Sequence, residues 1–334
     1  MAVVEVEKKS TSNSSKKKTT ASSSSPMERR KENYLVSLQN LFAFFVVSAM
    51  MIFYLDSTAF IRWASYSLKQ YLWFRMTDTT VFAIAFVYFL IVMWHLNIRS
   101  SSSIAVAKQQ ADRKGALITT LLVYWNYFLC IFSMMMLVGV SLGCLRIINQ
   151  HGFYAYFCDG ELGWQYASKG DSPIGVYMAL FMVSKIPELV DTMFMVVRGR
   201  PIRFLHWYHH LTVLLYCWLI TRTTYPGTPF SLLNAFVHSV MYYYYARTAQ
   251  GVRPQFAKFV TLIQLIQMIA GLLISITFAI MWYASKHSDY PCDGGVTMRD
   301  SGALPLVLIS TAAMYFSYFL LFAQFYLERY RRKQ

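Results

Sequence analysis

Apolar runs, each about the length of a membrane-crossing helix, recur along the chain: 41–61, 79–98, 116–142, 174–197, 204–221, 230–247, 260–284 and 303–327. A helix needs roughly 20 predominantly apolar residues to cross a bilayer. Lipid forces such a chain to satisfy its backbone internally, and a helix does so within one segment. The pattern therefore predicts an all-α polytopic membrane protein with up to eight spans. Asp56 interrupts the first, and 204–221 is short unless its polar start enters the membrane. Ahead of the spans, 1–40 is a basic tail. From Ser10 to Pro26 it is almost entirely Ser, Thr, Lys and Ala, which cannot build a core and reads as disordered.

Charge sharpens this picture. Only 14% of the 334 residues are charged and 56% are hydrophobic, whereas soluble domains carry about 25% charged residues. A net charge of +15 raises the question of nucleic acid, but the basic residues lie between apolar blocks and form no recognisable nucleic-acid motif. Topology explains them instead. With the amino terminus inside, 22 Lys and Arg fall in cytoplasmic segments and 8 on the opposite side, and only Lys185 lies within a span. The bias holds loop by loop and predicts both termini, including the short basic end 329–334, on the cytoplasmic side. Five cysteines occur without a CxxC pair. Cys158 and Cys292 fall in polar segments on the far side, where an oxidising lumen would let them pair; two free thiols are the alternative.

Ionisable residues inside spans are costly and informative. In Lys185-Ile-Pro-Glu188-Leu-Val-Asp191-Thr192 charges recur every third residue, which sets Lys185 beside Glu188 on a helix. Pro187 should kink the helix or free a carbonyl. A structural ion pair and an active-site wall both fit. In His206-Trp-Tyr-His209-His210 the three imidazoles share one helix face. The next span aligns Asn234, His238 and Tyr242 at i, i+4 spacing, and the one after it carries Gln264 and Gln267. A lone buried histidine is usually packing, but this set across four consecutive spans points to a functional polar cavity.

Three chemistries can use such a cavity. Histidine is a good iron or zinc ligand, and membrane desaturases and hydroxylases carry His-x-x-His-His boxes. They need several boxes, however, and this chain has one box among seven histidines. A transporter or proton relay would also bury Lys, Glu, Asp and His. The third is catalysis by imidazole, which can attack a thioester to give a reactive acyl-imidazole and can transfer protons near neutral pH. Cysteine is the rival nucleophile. Cys217 lies seven residues beyond His210, about 10 Å along the axis, while Cys130 belongs to another span.

Taken in order, the four motifs closely resemble the very-long-chain fatty acid elongase family: Lys185-Ile-Pro-Glu188-Leu-Val-Asp191-Thr192, His206-Trp-Tyr-His209-His210, Asn234-Ala-Phe-Val-His238-Ser-Val-Met-Tyr242, and Thr261-Leu-Ile-Gln264-Leu-Ile-Gln267. The resemblance covers about 79–328 and implies a seven-helix bundle in which six helices enclose a narrow acyl tunnel. Segment 41–61 would then be an additional hydrophobic helix. It implies condensation of a long-chain acyl-CoA with malonyl-CoA, with no cofactor and no metal. His209 is the expected nucleophile and His238 its partner, flanked by His206 and His210. Lys185, Glu188, Asp191, Asn234, Tyr242, Gln264 and Gln267 would support them, while Lys185, Arg203, Arg247, Arg253 and Lys258 would receive CoA phosphates. It further implies a Cys158–Cys292 disulfide, the endoplasmic reticulum membrane, a homodimer, and association with the other enzymes of the elongation cycle. The box looks most like the branch that acts on saturated and monounsaturated acyl-CoAs. Trp207 and Tyr208 fit helix packing as well as specificity.

Overall fold

The computed structural model describes residues 78–100, 104–158, 174–221, 227–252, 254–285 and 303–330. By internal contacts the chain divides into 1–46 and 47–334. The first unit, the tail 1–40, the segment 41–61, Arg253 and Cys292 all lie outside the described residues. Every described helix belongs to the second unit.

The described elements are helical: α1 (Asp78–Ser100), α2 (Ile104–Cys158), α3 (Ile174–Ser184), α4 (Val190–Val197), α5 (Phe204–Thr221), α6 (Thr228–Ala249), α7 (Ala257–Ser285) and α8 (Ala303–Tyr330). A 3₁₀ turn, Pro187–Leu189, joins α3 to α4 within one span. These are the seven spans expected after residue 78. Among them α1, α2, α7 and α8 are long and apolar enough to cross a membrane by length and hydropathy alone. The other three fall short because the α3–α4 span is broken, while α5 and α6 carry the polar residues of the motifs.

The break follows from Pro187, which has no N–H and whose ring clashes with the carbonyl four residues back. The backbone tightens instead, with Ile186 N donating to the Val183 carbonyl at 3.1 Å and Leu189 N to the Ile186 carbonyl at 3.0 Å. Such an interruption is tolerated at membrane depth where protein surrounds it. Here Lys185 and Glu188 are 1% and 3% exposed.

α2 outruns its predicted end at residue 142 and runs to Gly152, whose non-helical backbone (φ +84°, ψ +167°) breaks it, after which a second short helical segment reaches Cys158. Arg146, Asn149 and Gln150 read as loop by hydropathy but do not stop a helix. Cys158 accordingly ends a helix, buried, instead of lying in a polar loop.

α2, the α3–α4 span, α5, α8, α7 and α6 pack in sequence around a ring. Their inner faces form one core with Met136, Tyr177, Met178, Cys217, Phe278 and Tyr318 among its members. α1 lies outside the ring, where Val81, Ala85, Tyr88 and Val92 meet Leu189, Leu214 and Trp218. Asp78 at the start of α1 accepts a hydrogen bond from Trp218 Nε1 at 2.8 Å. The ring is tight where α2 meets α3: a Cβ on Gly139 would collide with the Tyr177 ring. Phe82, Phe86, Leu90 and Trp94 on α1, and Leu262, Ile266, Leu273 and Ile280 on α7, face outward. Apolar residues on the outside as well as the inside are what lipid requires.

Candidate functional site

A cavity of about 680 Å³ opens within the ring, lined from α2, α4, α5, α6, α7 and α8. All four predicted catalytic histidines, His206, His209, His210 and His238, line it, as do Asp191, Asn234, Tyr242, Gln264 and Gln267. Helical spacing accounts for the convergence, since α5 and α6 each turn one polar stripe inward.

The loop between α4 and α5 brings Arg198, Arg200 and Arg203 to the cavity, and α8 contributes Arg329. The guanidinium of Arg203 lies 4.8 Å from the centre of the Phe325 ring, and that of Arg329 lies 5.7 Å from the same ring. Of the predicted phosphate-binding residues, Arg203 is thus at the site. Arg247 instead donates to Gln250 Oε1 at 2.9 Å and Lys258 lies over Tyr326; neither lines the cavity.

Lys185 is not among the residues lining the cavity. Its ammonium donates to Glu188 Oε1 at 2.7 Å and to Asn234 Oδ1 at 3.1 Å, beneath the Phe181 ring. Ser184 Oγ donates to the same Glu188 oxygen at 3.1 Å, while Glu188 Oε2 is buried with no hydrogen-bond partner among the described residues.

His238 stands at the end of that network. Its Nε2 is 3.0 Å from Asn234 Nδ2, and its Nδ1 is 3.9 Å from Glu188 Oε1. His209 differs. Its ring packs on the Tyr318 ring at 4.8 Å, and neither of its ring nitrogens has a hydrogen-bond partner among the described residues. Tyr318 is held by Thr212 Oγ1 at 2.6 Å and donates to the His209 carbonyl at 3.3 Å. His206 Nε2 pairs with Thr192 Oγ1 at 3.0 Å, and Thr192 with Tyr88 OH at 2.9 Å. His210 rests against His206, with ring centres 4.5 Å apart, and its buried Nδ1 has no partner among the described residues.

Asp191 ties the walls together, accepting from Trp125 Nε1 at 2.7 Å and Tyr242 OH at 2.8 Å. Gln264 Nε2 reaches Met241 Sδ at 3.2 Å. Trp207 packs between Phe89 and Phe204, and Tyr208 bonds Ser317 at 3.1 Å, so both join helices. Tyr88, Trp125, Tyr318, Arg198, Arg200 and Arg329 are site residues that sequence reading does not single out. The arginines have a signal in the basic 198–203 loop and carboxyl-terminal segment, whereas the aromatics have none among 24 Tyr and 8 Trp.

Among the described residues no three His, Cys, Asp or Glu side chains are placed to hold a metal ion, and no cysteine lines the cavity. Cys130 donates to the Ser239 carbonyl at 3.1 Å and Cys144 to Tyr156 OH at 3.4 Å, and Cys217 is buried in the core.

A family model described as "ELO: GNS1/SUR4 family" matches residues 73–334. Very long chain fatty acid elongase 4 of Trypanosoma cruzi (strain CL Brener) is 38% identical over 216 residues, covering 64% of this chain and 70% of the relative. Fatty acid elongase 1 of Trypanosoma brucei brucei (strain 927/4 GUTat10.1) is 36% identical over 237 residues, 68% of this chain and 72% of the relative. Very long chain fatty acid elongase 6 of Drosophila melanogaster is 35% identical over 215 residues, 63% of this chain and 62% of the relative.

Proposed function

The chain belongs to the ELO family, GNS1/SUR4, and from that premise we propose that it condenses a long-chain acyl-CoA with malonyl-CoA. The products are a 3-oxoacyl-CoA two carbons longer, CO2 and CoA. The observation that carries the reading is one cavity lined by His209, whose ring nitrogens have no hydrogen-bond partner among the described residues, by the hydrogen-bonded imidazole of His238, and by four arginines.

Arg198, Arg200, Arg203 and Arg329 pair with CoA phosphates through charge-assisted hydrogen bonds. His209 attacks the acyl thioester; a C–N bond forms, the C–S bond breaks, and the proton shed by the imidazole leaves with CoA as its thiol. Malonyl-CoA then binds and its C–C bond to the carboxylate breaks, releasing CO2. The resulting enolate carbon attacks the acyl carbon, the C–N bond breaks, and His209 regains a proton. One proton is taken up per turnover, and His238 hands it on. No cofactor or metal enters. His206 and His210 anchor the thioester oxygens, and Gln264 and Gln267 the malonyl group.

The same reading places the chain in the endoplasmic reticulum membrane with both termini cytoplasmic, supported by 22 basic residues on one side against 8 on the other. A Cys158–Cys292 disulfide fits a lumenal position; Cys158 is buried and is not among the free cysteines. Homodimerisation and association with the remaining enzymes of the cycle follow from the resemblance.

The test is CO2 release from malonyl-CoA by the purified chain with a panel of acyl-CoAs. Release should require acyl-CoA and persist in a chelator. Absence of release with every acyl-CoA contradicts an elongase. Metal-dependent oxygen consumption would instead establish a desaturase or hydroxylase, and substrate flux without either reaction a transporter.

A further inference from the structure

We infer that Lys185 is a positioning residue which, acting through Asn234, fixes the proton of His238 on Nδ1 and thereby gives the two histidines different tasks. This role rests on the condensation reaction proposed for the site. An ammonium only donates, so the Asn234 atom 3.1 Å from Lys185 Nζ is the amide oxygen. That choice orients the whole amide and turns its NH2 toward His238 Nε2, 3.0 Å away. An NH2 group also only donates in this contact, so Nε2 presents its lone pair. A neutral imidazole carries one proton, which is therefore on Nδ1. Nδ1 faces Glu188 Oε1 at 3.9 Å, an acceptor. Each link in the chain agrees in sign with its neighbours.

The two imidazoles are thereby made unequal. The Nε2 lone pair of resting His238 is occupied, while both ring nitrogens of His209 are free of partners among the described residues, so His209 is the nucleophile. When the Asn234 bond opens, Nε2 can accept a proton, and Glu188 lies beside the imidazolium that forms. Lys185 is 1% exposed, and a buried pair is weak as a source of stability. A cation in this place does what an apolar residue of similar size cannot, which is to select one face of the amide.

The test is Asn234→Asp, which keeps shape but offers only acceptors. It still satisfies Lys185, yet it demands a proton on His238 Nε2. The two half-reactions are read separately. Acylation from acyl-CoA alone should stay within about threefold of wild type, while acyl-dependent CO2 release falls by about 100-fold, the scale of lost general acid–base catalysis. The double variant Lys185→Met/Glu188→Gln, which removes both buried charges together, should show the same split. Unfolding temperatures show that both variants are folded. Wild-type CO2 release in Asn234→Asp overturns the inference, and so does an equal loss in both half-reactions, which would mean a purely architectural role. If wild-type protein releases no CO2 with any acyl-CoA, the condensation reading fails instead.

Discussion

A His209→Ala variant is expected to lose covalent acylation and to release CO2 at least about 10³-fold more slowly, on the scale of nucleophile removal in enzymes with covalent intermediates. His209 lines the cavity and its ring nitrogens are free of partners among the described residues, as the proposed nucleophile requires. Among the described residues the cysteines offer no substitute. Cys130 and Cys144 are engaged in hydrogen bonds and Cys217 is buried in the core, and none of the three lines the cavity. Imidazoles 206, 210 and 238 remain: His206 is bonded to Thr192 and His238 to Asn234, while His210, whose buried Nδ1 has no partner among the described residues, rests against His206. Tyr318 keeps its bond to Thr212 when the imidazole is gone, so the α5–α8 seam and the fold should persist. The arginines at the rim are untouched, so the KM for acyl-CoA should change far less than kcat. A variant that elongates at near wild-type rate would show that the acyl group is carried elsewhere.

The second large effect is on stability. Glu188→Ala leaves the Lys185 ammonium buried with Asn234 Oδ1 as its remaining hydrogen-bond acceptor among the described residues. Removing one partner of a buried pair costs about 3–5 kcal/mol, because the orphaned charge keeps its desolvation penalty. Thermal unfolding in detergent should show a large drop for this variant. Adding Lys185→Met should recover most of the loss while leaving turnover impaired. A single variant as stable as wild type would mean that water or another group neutralises the ammonium.

The spans after residue 78 are legible because lipid imposes one requirement along every helix, and hydropathy reads it directly. The polar stripes of α5 and α6 are legible for a related reason. Residues such as His206, His209 and His210 stand out at that depth, and helical spacing says which of them share a face. Lys185 shows where this reading stops. Its spacing pairs it with Glu188, but no linear pattern shows that its ammonium also reaches Asn234 Oδ1 on another helix. The basic loops show a second limit. Charge counting assigns residues to a side of the membrane, not to an angle around the bundle, so Arg203, Arg247 and Lys258 look equivalent in the sequence. In three dimensions only Arg203 of these lines the cavity, joined by Arg198, Arg200 and Arg329. Tyr88, Trp125 and Tyr318 act through single polar atoms on large rings. In a chain with 24 tyrosines, only a structure shows which of them have a partner at the site. Hydropathy misjudges the end of α2 for the opposite reason, since Arg146, Asn149 and Gln150 leave the bilayer pattern without leaving the helix.

That the acyl group is carried on His209 can be tested by incubating the purified protein with acyl-CoA alone and locating the adduct by peptide mass spectrometry. The expected result is an acyl mass increment on the peptide containing His209, formed without malonyl-CoA and discharged when malonyl-CoA is added. An adduct on Cys130, Cys144 or Cys217 would contradict it.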